Sequence, residues 1–336
     1  MRILKLVIWD LDETILAGIL EEGEKEINPS AEKVMTQLRA RGVLQALATQ
    51  NQPQVFRTAT QNYNWLDGFV QTEVDLGPKV DKIRSILDTL DVNPLDTAFV
   101  DEDAFERDSI AVQVSGISAW SIAELEGYLQ SNPVTVTEEA RRRPEMYSAQ
   151  KTRVQDEGKA DDYLAFLRAC DIKITIRPYA SKDATRVEEL LTRIHQMNLG
   201  VLPLEEAITR LNFRGGHDVI VAELQDNYGD MGRCGIVHLN ATENDEALIE
   251  SLAISCRTSA RGLSLAMLVG MLRYPGVKFE RFRCRYIYNG LNRPLRMLLM
   301  GAGFKPLQGT DELILSAARL ARAEVPDWVQ LNYPLI

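Results

Sequence analysis

The chain is poor in the residues that usually build metal and disulfide centres: its 336 residues include four cysteines and three histidines. Cys170, Cys234, Cys256 and Cys284 lie far apart with no Cys-x-x-Cys spacing, which argues against a structural zinc site and a disulfide framework. They read as small, reduced core residues. His195, His217 and His238 stand at no ligand spacing from one another, so histidine-centred metal chemistry is not expected. Long apolar runs are missing too. No stretch approaches the roughly 20 residues that a membrane span needs. The first apolar run is too short and too soon acidic for a secretory leader, so a cytoplasmic protein with no membrane partner is expected. Nor is there an excess of positive charge: a formal net charge of −10 disfavours a general nucleic-acid binder. There is no internal repeat and no low-complexity tract.

What is present is an ordinary globular composition, 45% hydrophobic and 26% charged, in a chain longer than one core usually serves. Two domains are the default. The N-terminal part alternates short apolar runs with amphipathic segments, the βαβα rhythm of a parallel sheet covered on both faces. Lys5–Trp9, Val43–Ala48, Phe69–Thr72 and Thr97–Val100 read as strands. Ser30–Arg41, Gln54–Asn62, Lys79–Leu90, Ala104–Gln113 and Ser121–Leu129 read as helices, with Ser30 capping the first and Gly42 stopping it. Ser131 to about Gly158 is charged and polar, with Pro133 and Pro144 flanking Arg141, Arg142 and Arg143, and reads as a linker that becomes helical. A helix from Asp161 to Cys170 precedes a second domain that opens on Ile172–Pro178. Its expected order is a helix Lys182–Met197, an acidic helix near Leu204–Leu211, strands in VIVAEL, CGIVHLN and LIESLAISC, and a helix from Gly262. A strand around Phe279–Tyr286, a helix Arg293–Met300 and a final strand near Glu312–Leu315 complete it. The expected division is 1–130, 131–170 and 171–336.

The most informative segment is KLVIWDLDETIL. A strand ending at Trp9 delivers Asp10 and Asp12 to one spot, because carboxylates at i and i+2 project the same way. Open α/β sheets bind ligands at that edge. Two adjacent carboxylates repel unless a cation or shared proton compensates them, which suits Mg²⁺ binding or acid/base work; a solvated turn would carry the same residues. A second signal is electrostatic. From Arg257 to Arg296 nine basic residues face one acidic residue, Glu280. Arg281, Arg283 and Arg285 alternate with Phe282, Cys284 and Tyr286, so they share one strand face. Solvated faces would produce such a run, and so would an anionic partner.

Asp10 with Asp12, then Thr49, Lys79 and Asp101, follow one another at successive strand ends, with Lys79 at a helix start. This order resembles the haloacid dehalogenase superfamily. The resemblance implies a Rossmann-like three-layer α/β fold in which Asp10 attacks phosphorus and Asp12 protonates the leaving oxygen and later activates water. It also implies that Thr49 holds a phosphoryl oxygen, that Lys79 neutralises charge, and that Mg²⁺ is bound by Asp10, Asp12 through its carbonyl, and Asp101. Both positions where the superfamily inserts caps are short here, so no large cap is expected and the second domain is the candidate cover.

IWDLDETIL, ATQNQP, KVDKIR, FVDEDAFERD, EEARRRPEMYSAQ, IRPYASKDATRVEELLTRIHQMNL and SCRTSARG together resemble the FkbH-like proteins of polyketide and nonribosomal-peptide pathways. That resemblance spans essentially the whole chain. It implies a C-terminal α+β domain similar to GNAT acetyltransferases, with a pantetheine and pyrophosphate loop from Arg257 to Gly262, whose cofactor-binding residues are Arg257, Arg261 and Gly262. Gly303 and Phe304 match its terminal turn. The implied activity is dephosphorylation of a three-carbon acyl phosphate, 1,3-bisphosphoglycerate, and loading of the glyceryl unit onto an acyl carrier protein bearing phosphopantetheine. Some residues depart from the family pattern. Ala48 stands where many relatives have an acyl-accepting cysteine, and alanine cannot carry a thioester. Gly200–Pro203 replace hydroxyl and basic residues, Ala260 replaces a loop glycine, and Leu299 stands at the position of the tyrosine acid of acetyltransferases. Cys256 is a substitute thiol in principle, but it ends an apolar strand.

Overall fold

The computed structural model describes residues 4–23, 25–61, 63–133, 136–200, 206, 219–242 and 245–334. The chain divides into two compact units, Met1–Ser148 and Ala149–Ile336.

The first unit is built on five parallel strands, β1 (Leu6–Trp9), β2 (Leu44–Thr49), β3 (Gln71–Val74), β4 (Thr97–Val100) and β5 (Ser118–Trp120), in the order β3-β2-β1-β4-β5. Strands buried on both faces need apolar residues at every position, which is why β1 reads LVIW without alternation. Val7 and Trp9 pack on one face with Val34 and Leu38 of α1 (Pro29–Ala40); Leu6 and Ile8 pack on the other with Ile83 and Ile86 of α3 (Lys79–Leu90). Each such fully buried side chain contributes about 1.5–3 kcal/mol. α2 (Pro53–Ala59), α4 (Ala104–Gln113) and α5 (Ile122–Ser131) complete the layers. The chain steps outward from β1 to β3 and then returns to β4, so the topological switch point lies between the carboxyl ends of β1 and β4.

Two expectations change here, and the helical linker takes definite form. Asn28, rather than Ser30, caps α1: its side chain accepts from the Ser30 amide at 3.0 Å, because Pro29 already occupies the first helical position. The edge strand β5 was not anticipated; three residues leave too short a pattern to read. The charged segment after α5 folds into α6 (Glu138–Arg141) and α7 (Arg143–Lys159).

The second unit carries an eight-stranded mixed sheet. Its strands are β6 (Ile172–Pro178), β7 (Val219–Asp226), β8 (Gly229–Ala241), β9 (Glu246–Ile254), β10 (Arg281–Arg285), β11 (Lys305–Pro306), β12 (Glu312–Ser316) and β13 (Val329–Asn332). They lie in the order β11-β12-β10-β9-β8-β7-β6-β13. Only β9 with β10, and β6 with β13, are parallel. The strand expected to be last is therefore followed by α12 (Ala317–Leu320) and by β13, which pairs Val329 with Ile172. The helices are α8 (Tyr163–Ala169), α9 (Ala184–Arg193), α10 (Leu263–Leu272) and α11 (Arg293–Gly301). The helix expected near Leu204–Leu211 lies outside the described residues. α10 (LSLAMLVGML) is apolar all round because it is buried almost throughout, and at Gly270 a Cβ would stand 2.2 Å from Ile176 Cδ1.

Gly42 turns the chain from α1 into β2 with φ +64°, and a Cβ there would stand 1.9 Å from the Ala140 carbonyl oxygen. Gly42→Ala should therefore cost about 2 kcal/mol or more in chemical denaturation, from left-handed strain plus the backbone clash. Wild-type stability would show that this contact does not constrain the turn.

Candidate active site

Asp10 follows β1 directly and its amide donates to Val100 O at 2.9 Å, so the first residue after β1 is pinned to the last of β4. Asp101, the first residue after β4, is thereby brought beside it. Lys79 opens α3 and reaches both: its Nζ lies 3.0 Å from Asp10 Oδ1 and 2.8 Å from Asp101 Oδ2. All three side chains are buried. The loops that carry them are tied together. Asp101 Oδ1 accepts from the Asp103 amide at 2.8 Å, Arg107 donates to Asp101 O at 2.8 Å, and Thr14 Oγ1 accepts from the Glu102 amide at 3.1 Å.

A second chain of contacts begins at the end of β2. Thr49 Oγ1 donates to Asn51 Oδ1 at 2.5 Å, and Asn51 Nδ2 donates to Asp12 Oδ2 at 2.8 Å. Asp12 Oδ1 accepts from the Leu20 amide at 2.7 Å. The structure thus brings Asp10, Lys79 and Asp101 into one cluster and places Asp12 and Thr49 in another, linked through Asn51. Asp12's carboxylate is engaged by Asn51 and the Leu20 amide. Asn51 was missed as a site residue, although its i+2 spacing from Thr49 at a strand end was a visible signal.

Burial pushes the Asp10 carboxyl up to about 7; Lys79 offsets only part of this, and the neighbouring Asp101 charge adds to it. Burial would lower the Lys79 ammonium, but Asp10 and Asp101 outweigh it and hold it above the ordinary lysine value. The fully ionised trio carries one net negative charge out of water. Two buried carboxylates side by side are all-oxygen donors, which suits a hard divalent cation such as Mg²⁺. Among the described residues no three acidic, histidine or cysteine side chains converge on one metal position, so a cation here would draw part of its shell from carbonyl, substrate or water.

Ala48, one residue before Thr49, points away from this cluster into the apolar layer with Val80 and Ile83. Each insertion position seen in the sequence carries only small elements: Leu16 bridges Ile27 in antiparallel fashion, and α2 and β3 fill the stretch before α3.

In the second unit Arg261 (φ +60°) and Gly262 (φ +73°) make a left-handed turn into α10, where a Cβ on Gly262 would meet Pro326 Cγ at 2.9 Å. Arg261 does not project from that turn. Its guanidinium is buried, 3.4 Å from Gln150 Oε1, and burial followed by the nearby Arg153 charge lowers its pKa. The Arg257 side chain lies outside the described residues. β9 and β10 pair only from Glu246 to Ile249; beyond that the edge of β9 is taken by the chain's own Met197–Leu199, through Ile254 N to Met197 O at 3.0 Å and Leu199 N to Leu252 O at 2.9 Å. Leu299 is a core residue. Cys170, Cys234 and Cys284 are buried, and burial pushes the Cys284 thiol up to about 12, far from a reactive thiolate. Arg281, Arg283 and Arg285 do share one face, but sheet neighbours partly neutralise them: Glu246 and Glu312 flank Arg283 at 3.1 and 3.2 Å, and Asp311 lies 2.6 Å from Arg285.

No family model matches the chain, and no curated protein does. Solved structures do show similarity. One is the N-terminal part of a Bacteroides fragilis protein containing a phosphatase domain complexed with Mg, 20% identical over 40% of this chain and 42% of that one, with a TM-score of 0.36. The match thus spans about two fifths of that relative's length. Another is a HAD-superfamily hydrolase from Ehrlichia chaffeensis, 11% identical over 39% of this chain and 98% of that one, TM-score 0.33. A third is the GNAT domain of an S. lividans protein, 16% identical over 42% of this chain and 89% of that one, TM-score 0.33.

The Asp10 cluster has a pH signature. An unfolded chain releases this proton near 3.8, whereas the folded metal-free protein holds it to about 7, so Asp10 contributes stability below pH 4 that is lost as pH rises through 7. Asp10→Asn should therefore melt above wild type at pH 8 without metal, and Mg²⁺ should raise the wild-type Tm more at pH 8 than at pH 5. A difference independent of pH would make Asp10 an ordinary ionised carboxylate.

Proposed function

We propose that the first unit is a Mg²⁺-dependent phosphatase or phosphotransferase of the haloacid dehalogenase type. The observation that carries this reading is the buried Asp10–Lys79–Asp101 cluster at the switch point. In the reaction, an Asp10 carboxylate oxygen attacks phosphorus, the bond from phosphorus to the leaving oxygen breaks, and an aspartyl phosphate forms. Lys79 stays protonated between its carboxylates and sets positive charge against the phosphoryl group. Thr49 would hold a phosphoryl oxygen once its hydroxyl proton, given to Asn51 in the ligand-free protein, turns to the substrate, and Asn51 fixes the direction of the Asp12 carboxylate. Asp12 gives a proton to an alkoxide leaving group and then takes one from the water that cleaves the aspartyl phosphate. Asp10, Asp101 and the Asp12 carbonyl would hold Mg²⁺, which when bound supplies the charge that draws phosphoryl oxygens to this acidic place.

The finer reading follows from the FkbH-like resemblance: the substrate is a glyceryl-type acyl phosphate, 1,3-bisphosphoglycerate, and the acyl unit passes to the phosphopantetheine thiol of an acyl carrier protein in a polyketide or nonribosomal-peptide pathway. Bond choice divides the outcomes. Attack at phosphorus releases free acid, whereas loading requires the carrier thiol to attack the acyl carbon and expel phosphate. Ala48 faces the core and cannot carry a thioester, so loading is proposed to run directly to the carrier thiol, with the half-buried Cys256 as the alternative acceptor. The same observation favours a second reading, a phosphatase of another small or carrier-bound phosphorylated intermediate that loads nothing. Arg257, Arg261 and Gly262 are proposed to hold a pantetheine pyrophosphate, which requires the Arg261 guanidinium to turn out from Gln150.

In ¹⁸O-water, turnover without carrier should place the label in phosphate and none in the carboxylate product. Label in the carboxylate would contradict attack at phosphorus. Asn51→Ala should lower kcat about tenfold or more for an alkyl phosphate, where Asp12 must deliver a proton, and less for an acyl phosphate, whose carboxylate leaves unprotonated. Equal losses on both substrates would remove Asn51 from the positioning of Asp12.

A further inference from the structure

Five of the fourteen large apolar side chains exposed among the described residues fall within one short stretch, Ile287, Tyr288, Leu291, Met297 and Met300, each between 38% and 68% exposed. The stretch forms one surface. Arg293, Arg296, Met297 and Met300 recur at helical spacing on the outer face of α11, while Leu295 and Leu299 face the core. The preceding loop is folded onto the start of that helix. Buried Asn292 donates from Nδ2 to Ile287 O at 3.0 Å, Tyr286 OH donates to Asn292 O at 3.2 Å, and the Arg296 guanidinium lies 5.9 Å from the Tyr286 ring. Scattered exposed apolar residues need no explanation, but a contiguous group rimmed by charge marks an interaction surface.

The charge has one sign. Residues 281–310 contain six basic side chains and no acidic one. Those on β10 are engaged by Glu246, Asp311 and Glu312, which leaves Arg293, Arg296 and Lys305 without an ion-pair partner among the described residues, the two arginines being on this surface. We infer that the Tyr286–Gly301 surface docks the acidic, apolar face of an amphipathic helix on a small partner protein. The thioethers of Met297 and Met300 adapt to aliphatic side chains, and the two arginines set orientation. A membrane surface is a poorer occupant: two free cations contribute about 1 kcal/mol each at an anionic bilayer, against a chain of net charge −10. A second copy is poorer still, since a two-fold contact would place arginines against arginines. The inference deepens the carrier-protein reading above and rests on it for the partner's identity.

The test is titration of the full chain with a phosphopantetheinylated acyl carrier protein and with its apo form, at low and high salt, alongside flotation with phosphatidylserine vesicles. Both carrier forms should bind within about threefold of one another, because the helix rather than the arm is gripped. Arg293→Glu/Arg296→Glu should weaken binding about tenfold or more and flatten its salt dependence, while phosphate release from the Asp10 site stays at the wild-type rate. Met297→Ser, at a side chain 68% exposed, should weaken binding without changing the salt slope. Unchanged binding by the charge-reversed variant, binding of neither carrier form, or flotation with vesicles in place of carrier binding would each overturn the inference. Phosphate release that survives Asp10→Asn would instead remove the functional reading and leave a measured dock standing.

Discussion

Two carboxylates buried side by side are the constraint on which the first unit depends. Parallel pairing of β1 with β4 makes Asp10 and Asp101 neighbours, and at an effective dielectric of about 20 two such charges 4 Å apart repel by about 4 kcal/mol. The fold answers with Lys79, carried in by the first residue of α3 and held between them. One ammonium offsets one carboxylate. Burial, with the Asp101 charge adding to it, raises the Asp10 carboxyl, and the uncompensated negative charge would favour a further cation. Asp12, two residues away, escapes this conflict because Asn51 and the Leu20 amide take its carboxylate elsewhere. The two residues proposed as nucleophile and proton carrier thus have different surroundings within one turn of chain, a separation that acid/base chemistry requires.

Much of this was legible in the sequence. Lys79–Leu90, Thr97–Val100, Ala104–Gln113 and Ile172–Pro178 have the bounds their patterns predict, because each is a strongly periodic or wholly apolar run closed by Pro, Asp or Gly. Asp10, Lys79 and Asp101 were legible because a parallel sheet delivers strand ends to one edge. Less legible were features set by partners distant in the chain. Asn51 joins the site through contact with Asp12, 39 residues away. The arginines of β10 showed their shared face but not their neutralisation, since Glu246 and Glu312 become neighbours only when β9 and β12 flank β10. β13 could not be placed because its parallel partner, β6, lies at the other end of the unit's sequence.

The second unit has an acetyltransferase-like sequence pattern but spends several of its usual features on itself. β9 and β10 separate after Ile249, yet Met197–Leu199 fill the exposed edge. Arg261 turns inward toward Gln150, and Leu299 completes the core. What it offers outward is a positively charged, apolar surface at Tyr286–Gly301. The two proposals together assign chemistry to the first unit and recognition to the second.

The most direct measurement is rapid acid quench of the enzyme with a ³²P-labelled acyl phosphate and Mg²⁺, followed by peptide mapping. The account predicts a hydroxylamine-labile label on the peptide containing Asp10, and none in the Asp10→Asn protein. Turnover with no label on that peptide, or a label that persists in the variant, would contradict Asp10 as the nucleophile.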